Sequence, residues 1–223
     1  YPNSYYIESL DRDLIHHPSL SDIDSCDLCI IGGGFTGLST AIEASKKGLK
    51  VILLEQNKIA WGASGRNGCQ IGPDISNGVE SLEKKYGFEV VKNLWNLSLD
   101  AVRLIDERIE EFNISCDKKL GNLTVATNKS KLLDFEHEIE YFQNELDYHQ
   151  TRILSKAEVS EAVGSERYYG GHLFEQGGHI HPLKYALGLA DADKMLNVDI
   201  YENTKATKIS EERNHVEVRT ANG

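Results

Sequence analysis

Three glycines after a short apolar run constrain this chain more than any other feature. The segment from Cys26 to Gly37 reads CDLCIIGGGFTG, and a second run, KVILLE from Lys50, ends on Glu55. The pattern predicts a strand, a tight turn, a helix over roughly 36–47 stopped by Gly48, and a second strand ending in an acid. Gly32 lets the chain turn sharply out of the strand. Gly34, lacking a Cβ, lets the backbone approach a bound group closely, and Gly37 lets the helix pack tightly on the strand. Free N–H groups and the positive dipole end at the helix start suit a pyrophosphate. A carboxylate at Glu55 accepts hydrogen bonds from ribose hydroxyls and repels a 2′-phosphate, which disfavours NADP. A lone Gly-x-Gly-x-x-Gly is often only a loop. Here the strand before it and the helix and strand after it supply the context of a nucleotide-binding βαβ unit.

Composition narrows the class. The chain has 223 residues, 40% apolar, enough for one large or two small domains. A net charge of −11 argues against a nucleic-acid partner. No run reaches the ~18 apolar residues of a membrane span, and the N-terminal stretch does not read as a signal peptide, so a cytoplasmic protein is expected. The chain starts at Tyr1 without Met, so its true N-terminus is expected to be missing or processed.

Four cysteines make no disulfide framework. Cys26 and Cys29 form a C-x-x-C, but in or beside the first strand, where a redox turn cannot form. Cys69 reads as a small filler residue rather than a modified thiol. His179 and His181 are expected on one strand face at period two. No third ligand is placed near them, so packing or hydrogen bonding is preferred to metal ligation.

Residues 1–24 read as a polar arm. A long irregular loop runs from Gln56 to Asp74, centred on WGASGRNGCQ (Trp61–Gln70), and loops this long are usually functional. The pattern turns helical from Ser76. Val91, Leu94, Val102, Ile105, Ile109 and Phe112 predict a helix over 88–112, with Trp95, Leu97 and Leu104 widening a stripe read as core. Further expected elements are a strand at 121–127, helices at 129–148 and 155–163 (Ser155 as N-cap), and a strand at 168–174. Then come a helix from Pro182 to about Met195 and strands at 199–201, 206–209 and 216–220. Ala221-Asn-Gly223 signals a turn, so the chain is expected to stop inside a hairpin, leaving an unpaired edge.

Taken together, Asp27–Gly37, Glu55, GASGRNG (Gly62–Gly68), GHIHP (Gly178–Pro182) and Gly188-Leu-Ala190 resemble the FAD-dependent amine oxidases of the D-amino-acid oxidase superfamily. The likeness covers the whole chain. It is greatest to the gamma-glutamylputrescine oxidase subgroup, through Ser4-Tyr-Tyr6, the WGASGRNG run, Tyr86-Gly87 and GGHIHP. The glycine fingerprint is widely shared; the Ala-Ser-Gly-Arg-Asn-Gly loop is much more specific.

That resemblance implies an α/β fold: a Rossmann-like FAD-binding domain with an inserted, incomplete α+β substrate domain. The expected boundaries are an arm at 1–24, the FAD-binding domain at 25–112 and 180–223, and a substrate-domain portion at 113–179. By similarity, Gly32, Gly34, Phe35 and Thr36 face the pyrophosphate and Glu55 the ribose, with Gly37 completing the cofactor-binding turn. Ser64, Gly65, Arg66, Asn67 and Gly68 run beside the ribityl chain and isoalloxazine, and the Ala206 backbone meets adenine at the start of a strand. Some relatives attach flavin through a histidine in the loop after the second strand; Arg66 stands there here, so non-covalent FAD is expected. Cys69 replaces a usual second glycine.

The implied reaction is oxidation of a primary or secondary amine to an imine, with oxygen as acceptor and gamma-glutamylputrescine-type substrates favoured. No catalytic acid or base is evident. Arg66 has two readings: a positive charge near the flavin, or a loop brace bonded to carbonyls. Alternatives are a sarcosine, glycine or D-amino-acid oxidase or dehydrogenase of the superfamily, a nicotinamide-dependent dehydrogenase, against which the loop after Glu55 argues, and a non-catalytic nucleotide-binding fragment. The family runs to about twice this length, so these residues alone are expected to be inactive.

Overall fold

A computed structural model describes residues 1–222 except Asp74, Ser76 and Asn77. The elements in order are α1 (Tyr5–Glu8), β1 (Leu28–Ile31), α2 (Phe35–Lys46), β2 (Val51–Leu54), a 3-10 turn (Ala63–Gly65), β3 (Gln70–Ile71), α3 (Val79–Tyr86), α4 (Phe88–Glu111) and β4 (Lys119–Ala126). There follow α5 (Lys129–Asn144), β5 (Thr151–Ser155), α6 (Lys156–Val163), β6 (Gly170–His179), α7 (Pro182–Met195), β7 (Asp199–Tyr201), β8 (Lys208–Glu211) and β9 (Val216–Arg219). The fold is mixed α/β with a parallel sheet in a Rossmann-like unit. None of the described helices is long and apolar enough to cross a membrane.

The chain forms two compact units. The first comprises residues 1–68, 108–116 and 181–223, and the second 69–107 and 117–180. Residues 69–107, expected within the cofactor-binding part, therefore cluster with the inserted unit. The parallel sheet of unit 1 has the order β1-β2-β7. Its middle strand, Val-Ile-Leu-Leu, is buried at every position, as expected for a strand covered on both faces. Leu38, Ala41 and Ile42 of α2 are fully buried. Helix α7 is buried nearly all round, so it lacks a polar face. Gly188 permits this: a Cβ there would lie 2.3 Å from Ile114 Cγ2. Antiparallel β8 and β9 form a hairpin that reverses through Glu212 and His215. The turn expected at Ala221-Asn-Gly223 runs onto Gly223, outside the described residues.

Unit 2 is built on antiparallel pairing. Strand β6 pairs with β3, β4 and β5. Its core is aromatic: Trp95 stacks on Phe142 at 4.8 Å and meets Tyr148 edge-on at 5.3 Å, and His172 lies 4.3 Å from Phe174. Asn128 caps α5 by accepting the Lys131 N–H, and Ser155 and Glu158 close a capping box on α6.

Several expectations are corrected. Val91 and Trp95 are core, but Leu94, Leu97 and Leu104 are exposed, because positions 94, 97 and 104 follow a second stripe of the helix. Helix α5 stops at Asn144 rather than 148. The chain reverses at Asp147 (φ 52°), and the Tyr148 N–H donates back to the Phe142 carbonyl. His179 and His181 share no strand face, since β6 ends at His179 and His181 is the N-cap of α7. Strand β8 starts at Lys208, leaving Ala206 ahead of it. Ser76, where helical pattern was expected to begin, lies outside the described residues, and α3 starts at Val79.

Candidate cofactor site

The site is assembled at the C-terminal ends of the parallel strands. In register, Ile31 pairs with Leu54 and Leu54 with Tyr201, so the next residues, Gly32, Glu55 and Glu202, stand in one row. Ligands of open parallel sheets bind at such an edge. Gly32 has φ 108°, which L side chains rarely adopt. A Cβ on Gly37 would lie 2.0 Å from the Gly32 carbonyl oxygen, so the helix can begin this close to the turn only with glycine there.

Gly34 is the N-cap of α2, with no side-chain cap. The first-turn N–H groups of a helix have no intrahelical partner. Ser64 reaches this helix start: its Oγ accepts the Phe35 N–H at 3.0 Å, and it would lie 2.8 Å from a Cβ on Gly34. Thr36 is exposed in the first turn, and the Phe35 ring packs on Tyr185 at 5.5 Å. The two glycine-containing loops therefore meet at one point.

Glu55 is half-buried. One carboxylate oxygen accepts the Gly33 N–H at 2.8 Å and the other the Asn57 N–H at 2.7 Å, which leaves lone pairs free for hydroxyl donors. Its backbone is held by Thr204 N–H to Glu55 O. A Cβ on Gly33 would stand 2.6 Å from Ile59 Cδ1 and 3.2 Å from Glu55 Cβ, so these side chains would have to shift to admit it.

In the second loop, Gly65 is buried, and a Cβ there would meet the Ala60 carbonyl at 2.3 Å. Arg66 is exposed, with Nε donating to the Gly62 carbonyl at 3.3 Å, a brace within the loop. Asn67 Nδ2 donates to the Ala63 and Ser64 carbonyls. Gly68 ends the unit 1 segment, exposed, and Ala206 is half-buried between β7 and β8. In unit 2, Cys69 takes φ 61°, a conformation glycine adopts freely.

Sequence reading missed Glu202, Tyr1 and Tyr6. Glu202 is buried, accepting the Ile59 N–H at 2.8 Å and Lys58 Nζ at 2.9 Å, and so fixes the start of the second loop. Its signal was present: like Glu55, it is the acid directly after a parallel strand. Burial, with Glu202 and Glu55 nearby, raises the Tyr1 phenol well above its ordinary value. Burial also pushes the Cys29 thiol up to about 11, keeping it protonated. Away from the row, Asp193 is fully buried with neither carboxylate oxygen bonded. Burial lifts its pKa to about 8, against the opposing pull of Arg108.

A family model described as FAD-dependent oxidoreductase matches residues 27–223. The chain belongs to this family. It is 40% identical over 219 residues to the probable oxidoreductase OrdL of Haemophilus influenzae, covering 98% of this chain and 50% of that protein. It is 36% identical over 221 residues to gamma-glutamylputrescine oxidoreductase of Escherichia coli, covering 99% and 51%. The chain thus spans about half the length of the curated relatives it matches. Among solved structures, L-amino acid deaminase from Proteus vulgaris aligns with TM-score 0.78 at 18% identity, covering 95% of this chain and 47% of that one. Glycine oxidase from Geobacillus kaustophilus aligns with TM-score 0.73 at 20% identity, covering 89% and 52%. At these identities the likeness carries the fold alone. The family's cofactor is FAD, and the residues fit it: the glycine turn leads into a helix start, where Ser64 Oγ would lie 2.8 Å from a Cβ on Gly34, next to a carboxylate with spare acceptor capacity.

Proposed function

We propose that this chain holds FAD non-covalently along the row just described and forms part of an amine oxidase. Gly32, Gly34, Phe35 and Thr36 receive the pyrophosphate, with Gly37 letting the helix start close to the turn. Glu55 receives the adenosine ribose, and the Ala206 backbone the adenine. Ser64, Gly65, Arg66, Asn67 and Gly68 line the flavin. The observation that carries this reading is the meeting of Ser64 with the start of α2, which brings both loops to one cradle.

FAD, when bound, supplies the two-electron acceptor chemistry. The chain's own part is to bind and orient. Helix α2 directs its free N–H groups at phosphate, Glu55 accepts from hydroxyls, and Arg66 offers an exposed positive charge beside the ring. Overall, an amine loses two electrons and two protons to become an imine, and oxygen takes them up as hydrogen peroxide. Water then releases aldehyde and ammonia. The relative named for gamma-glutamylputrescine supports an amine of that type as substrate.

Acid precipitation of the holoprotein is expected to release all flavin to the supernatant; colour left in the pellet would refute non-covalent binding. A peroxide assay over gamma-glutamylputrescine, sarcosine, glycine and D-amino acids tests the substrate class. Residues 1–223 alone are expected to give no peroxide.

A further inference from the structure

We infer that the N-terminal arm, residues 1–12, is a clasp that positions the loop 59–67, with Tyr6 as its positioning residue and His181 as its anchor. The inference rests on the reading of that loop as flavin-facing.

The arm touches the loop at both ends. The Tyr1 hydroxyl donates to the Ile59 carbonyl at 2.8 Å, and its ring lies 5.8 Å from that of Trp61. The Tyr6 hydroxyl donates to the Asn67 carbonyl at 2.8 Å. Glu202 and Ser64 hold the start and middle of the loop. Tyr6 holds the far end, where Arg66 and Asn67 also bond to carbonyls of the loop. The bond from Tyr6 ties that end to a segment outside the loop.

The arm is itself moored on α7. Asp11 pairs with the buried Lys184 at 2.8 Å and Arg12 with Asp191 at 2.7 Å. The polarity at His181 is set by its bonds. Nδ1 accepts the Lys184 N–H at 3.2 Å, so the proton of the neutral ring is on Nε2. At 3.1 Å, Nε2 then donates to Ser9 Oγ, whose own hydroxyl donates to the Tyr5 carbonyl at 2.6 Å. The Tyr6 ring packs edge-on against the same imidazole at 5.2 Å. One side chain thus caps a helix, orients a serine of the arm and seats the tyrosine that reaches the loop. These bonds give the second histidine of the H-x-H motif a hydrogen-bonding role.

The test compares wild type, Tyr6→Phe and Ser9→Ala, which replace one hydroxyl each by hydrogen and leave the fold's packing in place. FAD titrated into apoprotein should bind Tyr6→Phe about five- to tenfold more weakly. The visible band of the bound flavin should change shape, while the melting temperature of the apoprotein stays the same. Amide exchange over 59–67, read without FAD, should quicken in both variants. Unchanged exchange together with unchanged FAD affinity overturns the clasp. Faster exchange in a protein that takes up no FAD upholds the clasp and sinks the cofactor reading instead.

Discussion

Gly37 and Gly178 stand in different units but face the same obstacle: a Cβ on either would lie 2.0 Å from a backbone carbonyl oxygen, that of Gly32 and that of Lys119 respectively. In unit 1 the close approach is made within one turn of chain, by residues of a single motif. In unit 2 it is made across the pairing of β4 with β6, between segments far apart in sequence. The steric demand is equal, yet only the first lies in the turn proposed to hold FAD. A crowded glycine identifies a tight backbone contact; it is the helix start and the carboxylate beside it that mark a candidate site.

That contrast can be broken directly. Gly37→Ala and Gly178→Ala should each cost more than about 4 kcal/mol, because a backbone carbonyl yields little. In the fraction that folds, Gly37→Ala should lose FAD and Gly178→Ala should keep near-normal affinity. Equal loss in FAD titrations would remove the distinction between the units. Next in size, Trp95→Ala should lower stability by about 3 to 4 kcal/mol in urea unfolding, through the aromatic core of unit 2 alone.

Asp193 gives a pH signature to unit 1. Its folded pKa, about 8, lies above its ordinary value of 3.8, so the native state binds the proton more tightly than the unfolded one. Stability should therefore fall as pH rises from about 4 to about 8, by an amount on the order of a few kcal/mol, and level off above that. Asp193→Asn should flatten this slope and be the more stable protein at high pH; melting curves across that range decide it. A smaller effect is expected at Glu55, where Glu55→Ala should weaken FAD about tenfold through lost charge-assisted bonds. Smallest of all, Leu97→Gln should change stability by less than about 0.5 kcal/mol, since Leu97 is 64% exposed.

Legibility followed the range of the interaction. The βαβ turn, the start of α7 at Pro182 and the long α4 were readable because caps, glycines and periodicity act over a few residues. On α4 the apolar pattern was readable, but not that Leu94, Leu97 and Leu104 are exposed while Val91 and Trp95 are core, because what covers a helix face is decided by distant segments. His181 looked like a strand residue; it is a cap, and only the Lys184 N–H beyond it shows this. The two tyrosines act on a loop distant in sequence, so no local spacing announces them; Glu202 does as well, though its place directly after a strand was a local signal.

Unit 1 is composed of three stretches separated by the two that make unit 2. Its sheet lacks an outer strand until Asp199–Tyr201 has been synthesised and has found Ile52–Leu54. The Thr204 N–H that holds the Glu55 backbone arrives later still. A nascent chain therefore carries its glycine turn from early on but cannot finish the proposed cofactor edge until all of the inserted residues have left the ribosome. If those residues have already collapsed into their own antiparallel core, they shorten the loop that unit 1 must close. The entropy of that closure grows only slowly with length, about 0.6 kcal/mol per doubling, so the insertion delays the cofactor edge more than it weakens it.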